Sequence, residues 1–125
     1  MAIPKTMQAA VVEHFGKPLV LKEVPVPTPG PGQALVKVHA AGVNFIDIYF
    51  RKGLYPAPPP IVLGSEGAGT VEAVASDVKN VAPGDRVAYA MPRGSYAEYQ
   101  AVPALQLVKI PASVDFETAA AGTIH

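Results

Sequence analysis

Between Ala40 and Pro56 the sequence reads AAGVNFIDIYFRKGLYP, an apolar run carrying one amide, one acid, two tyrosines and two adjacent cations. Asn44 followed three residues later by Asp47 has the layout of a helix N-cap with an acidic N3 residue. Arg51 and Lys52 suit a helix C-terminus, and Gly53 suits the left-handed stop after it. The spacing predicts a short helix over Asn44–Lys52. Tyr49 and Tyr55 flank its end. Phenol-tipped aromatic faces suit flat, partly polar ligands, although tyrosines more often build core. Glu66 lies between Gly64 and Gly67 in an apolar context. A carboxylate there needs hydrogen bonds or a cation, so it is either a structural acceptor for turn N–H groups or a group of the site. Arg51 is its candidate partner.

Other chemistries are excluded by what is missing. The glycines of GSEGAG are in the wrong order for a dinucleotide fingerprint, and they open the β-branched stretch TVEAV rather than a helix. They suit a tight bend and close backbone approach. His14, His39 and His125 are isolated, which leaves no metal-binding pair, and His39 reads as a half-exposed sheet residue. Ser65 and Ser95 follow glycines without forming a nucleophile elbow. The chain has no cysteine, so disulfides, thiol nucleophiles and cysteine-ligated zinc drop out. Its formal net charge is +0 and no basic run exceeds two residues, so it lacks an electrostatic footprint for nucleic acid. No secretory h-region and no apolar run of membrane-spanning length is visible, and a cytoplasmic protein is expected. Half of the residues are hydrophobic and 16% are charged. Either part of the surface is covered by another domain or subunit, or a sheet protein is tightly packed.

Short strands must position these residues. Eleven glycines and fourteen prolines punctuate the 125-residue chain between apolar runs. MQAAVVEHFG, PLVLKEVPVP and ALVKVHAAGV read as strands, the last with a period-2 alternation of Leu35, Lys37 and His39 against Val36, Val38 and Ala40. GTVEAVASDV, DRVAYA, GSYAEYQAVPA and LQLVKIP are four more candidates. Pro83-Gly84 fits the centre of a type II turn. Ser113 with Phe116-Glu117 marks a further helix start. The fold class expected is mainly β, a barrel-like single domain over residues 1–125 with short helices.

In this order and spacing, AAGVNFIDIYFRKGLYP, LGSEGAGTVEAV, VKNVAPGDRVAY, GSYAEYQAVPA and KIPASVDFETAAA closely resemble one known domain. It is the N-terminal substrate domain of NADPH-dependent quinone oxidoreductases, the zinc-free, zeta-crystallin-like branch of the medium-chain dehydrogenase/reductases. The first 38 residues look more like the head of the zinc alcohol dehydrogenases, a mixture that fits a chimera, a reconstructed sequence or a divergent member. The resemblance implies a GroES-like β-barrel. Zinc-dependent relatives have Gly-Val-Cys-His-Thr-Asp where this chain has GVNFID, and Gly-His-Glu where it has GSE. Asn44 and Ser65 therefore stand at ligand positions, and no zinc is expected. By resemblance, Asn44 and Phe45 face the nicotinamide, Asn44, Tyr49 and Tyr55 serve the substrate, and Asp47, Arg51 and Glu66 organise the wall behind. NADPH is implied for the complete family member, with a quinone or enone as substrate, and none is expected on this chain alone. Family members continue past ETAAA into a Rossmann domain. Residues 1–125 are thus expected to be an inactive isolated domain with a fraying end at AAAGTIH. The alternative is an interaction module that forms homo-oligomers through its interdomain face.

Overall fold

The computed structural model describes residues 3–13, 20–42, 61–62, 66–90 and 95–122. Among the described residues there are eight strands: β1 (Thr6–Val12), β2 (Val20–Pro25), β3 (Gln33–Gly42), β4 (Ile61–Val62), β5 (Glu66–Val74), β6 (Arg86–Ala90), β7 (Tyr99–Pro103) and β8 (Val108–Lys109). They form a three-stranded sheet in the order β2-β1-β4 and a five-stranded sheet in the order β7-β3-β5-β6-β8. Every pairing is antiparallel. One helix, α1 (Phe116–Gly122), closes the described chain. The helix expected over Asn44–Lys52 lies outside the described residues.

The mainly β expectation holds, with one difference in architecture. Among the described residues the strands do not close into a single barrel. The two sheets are stitched by residues 96–98: Ala9 bridges Ala97, Ala10 N donates to Tyr96 O (2.8 Å), and Val38 N donates to Glu98 O (2.8 Å). Among the described residues β2 and β8 each pair on one side only. β8 has two residues, and prolines end β2 and recur after it, removing the donors that further pairing needs.

The main core gathers Val36, Val71, Val87, Tyr89, Val102 and Leu107 among its buried members. The alternation read from ALVKVHAAGV survives only in part. Ala34, Leu35 and Val36 are all buried, because β3 lies between β7 and β5 and both of its faces are covered there. Register shifts between Leu35 and Val36 and between Val38 and Ala40 disturb the period further. LQLVKIP, expected as one strand, is split. A 3-10 turn (Ala104–Gln106) is tied down by Ala104 N donating to Gly32 O (2.8 Å) and Asn80 Nδ2 donating to Ala104 O (2.8 Å), and only Val108–Lys109 pairs.

The Pro83-Gly84 turn forms as expected. Asp85 N donates to Ala82 O (3.1 Å), Gly84 adopts φ +95°, and Asp85 Oδ2 accepts from Ala82 N (2.9 Å). The same device recurs at Gly30–Gln33. Gly32 has φ +74°, Gln33 N donates to Gly30 O (3.0 Å), and Gln33 Oε1 accepts from Gly30 N (2.9 Å). At α1 the cap is Asp115 rather than Ser113: Asp115 Oδ1 accepts from Thr118 N at 2.7 Å, the geometry of an N-cap bonded to N3.

Gly69 and Gly67 alternate along β5 and fill different needs. A Cβ on Gly69 would overlap the Lys37 backbone carbonyl across the β3–β5 ladder, and one on Gly67 would overlap the Tyr89 phenol. Backbone cannot withdraw as a side-chain tip can. Gly69→Ala is therefore expected to destabilise the protein by about 3 kcal/mol or more, and Gly67→Ala by less. Urea unfolding checks both, and equal midpoints for Gly69→Ala and wild type would contradict this packing.

Candidate functional site

Three strands end in one row. Gly42 at the end of β3 pairs with Glu66 at the start of β5, and Glu66 pairs with Ala90 at the end of β6. The chain enters residues 43–60 from Gly42, reaches Glu66 through 63–65 and leaves Ala90 into 91–94. This sheet end thus gathers the connections that carry most of the expected site residues. Asn44, Phe45, Asp47, Tyr49, Arg51, Tyr55 and Ser65 lie outside the described residues. Glu66 alone of the expected set is described, and it is 2% exposed. Burial of that degree requires compensation for its carboxylate.

Behind Glu66 stands a group that the sequence did not advertise. Tyr89, next to the last residue of β6, packs over Gly67 and donates its hydroxyl to Gln100 Oε1 at 2.5 Å. Burial pushes the Tyr89 phenol well above its usual range, so it remains a neutral donor. Only the pairing register reveals it, since Gly67 supplies the space from the opposite strand. The glycines of GSEGAG that are described are thus filled by the protein itself, Gly67 by a phenol and Gly69 by a carbonyl. They leave no cradle for a pyrophosphate, and any dinucleotide must be held mainly by other groups.

A second unanticipated cluster sits farther along the same strands. The Phe116 ring stacks on His39, with centroids 4.5 Å apart and planes at 9°, and Arg86 lies over it at 4.4 Å from the centroid. The Arg86 guanidinium also donates to Pro111 O (2.6 Å) and Val114 O (2.7 Å). Thr70 Oγ1 lies 3.3 Å from His39 Nε2. The hydrogen bonds to Thr118, reinforced by Arg86, hold the Asp115 carboxyl below its usual range. His39, read as a half-exposed sheet residue, is an exposed one whose ring is used in this stack.

An apolar groove of about 600 Å³ runs between β6, β8 and α1, lined by Ala88, Ala90, Val108, Ile110, Val114 and Ala119 among others. It reaches Ala90 and so borders the candidate site. Among the described residues no three His, Asp or Glu converge as a metal site requires, and no helix is long and apolar enough to cross a membrane.

The alcohol dehydrogenase GroES-like domain family matches residues 30–112. A quinone oxidoreductase of Pseudomonas aeruginosa is 50% identical over 111 residues, covering 86% of this chain and 34% of that protein. The solved quinone oxidoreductase of Pseudomonas syringae superposes with a TM-score of 0.90 at 43% identity, covering 94% of this chain and 38% of the other. A mycobacterial protein solved in complex with NADPH gives a TM-score of 0.87 at 45% identity, covering 93% and 37%. The chain spans about a third of the length of the curated relatives it matches.

Two outcomes follow from this geometry. Tyr89→Phe leaves a buried Gln100 amide short of one donor and is expected to lower stability by about 1–3 kcal/mol, read by urea unfolding. An unchanged midpoint would show that the hydroxyl carries no net stabilisation. For Asp115 the folded-state pKa is depressed, so its stabilisation is present above the unfolded value of about 3.9 and is lost as pH falls through the lower folded value. Carboxyl NMR should place Asp115 below that value. Asp115→Asn, which keeps a capping oxygen, should remove the acid-induced loss of α1 signal.

Proposed function

The chain belongs to the alcohol dehydrogenase GroES-like domain family of the medium-chain dehydrogenase/reductases, and on this premise we propose that it is the substrate domain of a quinone-oxidoreductase-type enzyme. The observation that carries the reading is its 50% identity to a quinone oxidoreductase across 86% of the chain. In this reading residues 1–125 act as one domain beside a cofactor domain. When bound, NADPH supplies a hydride, and a solvent proton completes the reduction of the quinone or enone carbonyl. The part of this chain is to bind and orient. Asn44 and Phe45 face the nicotinamide, and Asn44 presents an amide donor to the substrate oxygen. Tyr49 and Tyr55 enclose the flat acceptor, while Asp47, Arg51 and Glu66 hold the wall. The burial of Glu66 at the junction of β3, β5 and β6 supports its supporting rather than reacting role. Asn44 and Ser65 in place of metal ligands make the site zinc-free, so side-chain donors stabilise the developing oxyanion. The working compartment is the cytoplasm.

The test joins the chain to the cofactor domain of the Pseudomonas aeruginosa relative and follows NADPH oxidation with a benzoquinone. The joined protein should turn over, the chain alone should not, and Asn44→Ala should lower kcat/KM by about tenfold or more in the joined form. Turnover by the chain alone, or a joined, folded protein without turnover, would overturn the reading.

A further inference from the structure

α1 has seven residues, too short to persist without docking. Its seat is nearly featureless: Ala119 and Ala120 lie against Ala40, Ala68 and Ala88, with Ile110 and Phe116 at the margin. Methyl groups of equal size interlock weakly, so this surface holds the helix close without setting its direction. Direction must come from contacts that have geometry. Those contacts converge on Arg86. Its planar fork donates to the carbonyls of Pro111 and Val114, the two ends of a turn closed by Val114 N donating to Pro111 O (3.1 Å). The same guanidinium lies over the first aromatic ring of the helix, which His39 stacks from β3. Arg86 itself is referenced to the site wall. It pairs with Thr70 in the ladder whose other end is Glu66 with Ala90, so the helix and the candidate site are registered against the same two strands.

We infer that Arg86 is a positioning residue: by gripping the Pro111–Val114 turn and the Phe116 ring, it sets the direction in which α1 leaves the sheet. This rests on the quinone-oxidoreductase reading, in which the cofactor-binding half follows α1 and must bring the nicotinamide to the sheet end at Glu66. Hydride transfer depends steeply on donor–acceptor alignment, so a helix that tilts by a few degrees misplaces the donor without emptying the substrate pocket. Lysine cannot replace the fork, because an ammonium on a flexible stem does not reach two carbonyls and a ring face in one plane.

The experiment compares wild type, Arg86→Lys and Phe116→Leu. In the 125-residue chain, Arg86→Lys should speed hydrogen exchange of the α1 amides by about tenfold while the β3–β5 amides stay protected. In the joined protein, kcat for quinone reduction should fall by about tenfold with KM for quinone within about twofold. Phe116→Leu, which keeps the apolar contact and loses both ring faces, should give the same pattern in weaker form. It also carries the test if Arg86→Lys fails to fold. Ethylguanidinium added to Arg86→Ala should restore part of kcat, which a general loss of stability would not allow. Unchanged α1 exchange, or faster α1 exchange with no accompanying fall in kcat, overturns the inference. A joined wild type without turnover strikes the oxidoreductase reading instead, and the exchange measurement then decides on the clamp by itself.

Discussion

The Lys37 carbonyl occupies the space where a side chain on Gly69 would begin, and the β3–β5 ladder exists in its present form because that space is empty. This ladder is the longest among the described residues, running from Ala34 opposite Val74 to Gly42 opposite Glu66. Both strands are interior to the five-stranded sheet, so β7, β6 and β8 take their places relative to it. A methyl group on Gly69 would push the ladder apart at its middle. The displacement would reach Glu66 at one end and the Gly30–Gln33 turn before β3 at the other.

From the same constraint follows the design of the sheet end. With Gly67 bare, Tyr89 lies down across β5 and reaches Gln100 on the far side of β3. The phenol thereby ties β6 to β7 across two intervening strands. Its neutral form is secured by burial, which suits a structural donor and not an acid–base group working near neutral pH. Glu66 in turn begins β5 where β3 and β6 both end, so the one buried carboxylate of the described core stands at the place from which 43–60 departs. The described strands thus meet the connections 43–60, 63–65 and 91–94 at a single edge of the sheet.

Where the frame is smooth, polar geometry substitutes for packing. The alanine seat under α1 gives proximity, and the Arg86–Phe116–His39 stack gives orientation. The two proline–glycine turns use a related economy. In each, the side chain one residue past the glycine accepts from the N–H that opens the turn, Gln33 for Gly30 and Asp85 for Ala82. These local closures need no partner from elsewhere in the chain, and for that reason they are legible in four consecutive residues.

Legibility in the sequence follows that distinction between local and distant causes. Most of the strand-forming runs, the Pro83-Gly84 turn, the mainly β class and the opening of a strand by the described glycines of GSEGAG rest on neighbours in sequence. The described structure carries them, LQLVKIP being the run that splits. The family resemblance was likewise contained in the order of five short motifs, and the match over residues 30–112 bears it out. Tyr89, Arg86 and His39 could not be read this way. Tyr89 needs Gly67 from another strand, and Arg86 needs carbonyls 25 and 28 residues away together with a ring on α1. The cap at α1 fell to Asp115 rather than Ser113 because Asp115 stands three residues before the Thr118 N–H it accepts from. Sequence alone determined most of the strands and turns, since those depend on side-chain type and backbone freedom within a few residues. The split of LQLVKIP, held by Gly32 and Asn80, was left to the fold. Tertiary structure alone decided that two open sheets are stitched at Ala9 and Ala97, that Gly69 yields to a carbonyl and that Phe116 is gripped by Arg86. Each of these is a meeting of groups whose separation along the chain carries no information about their distance in space.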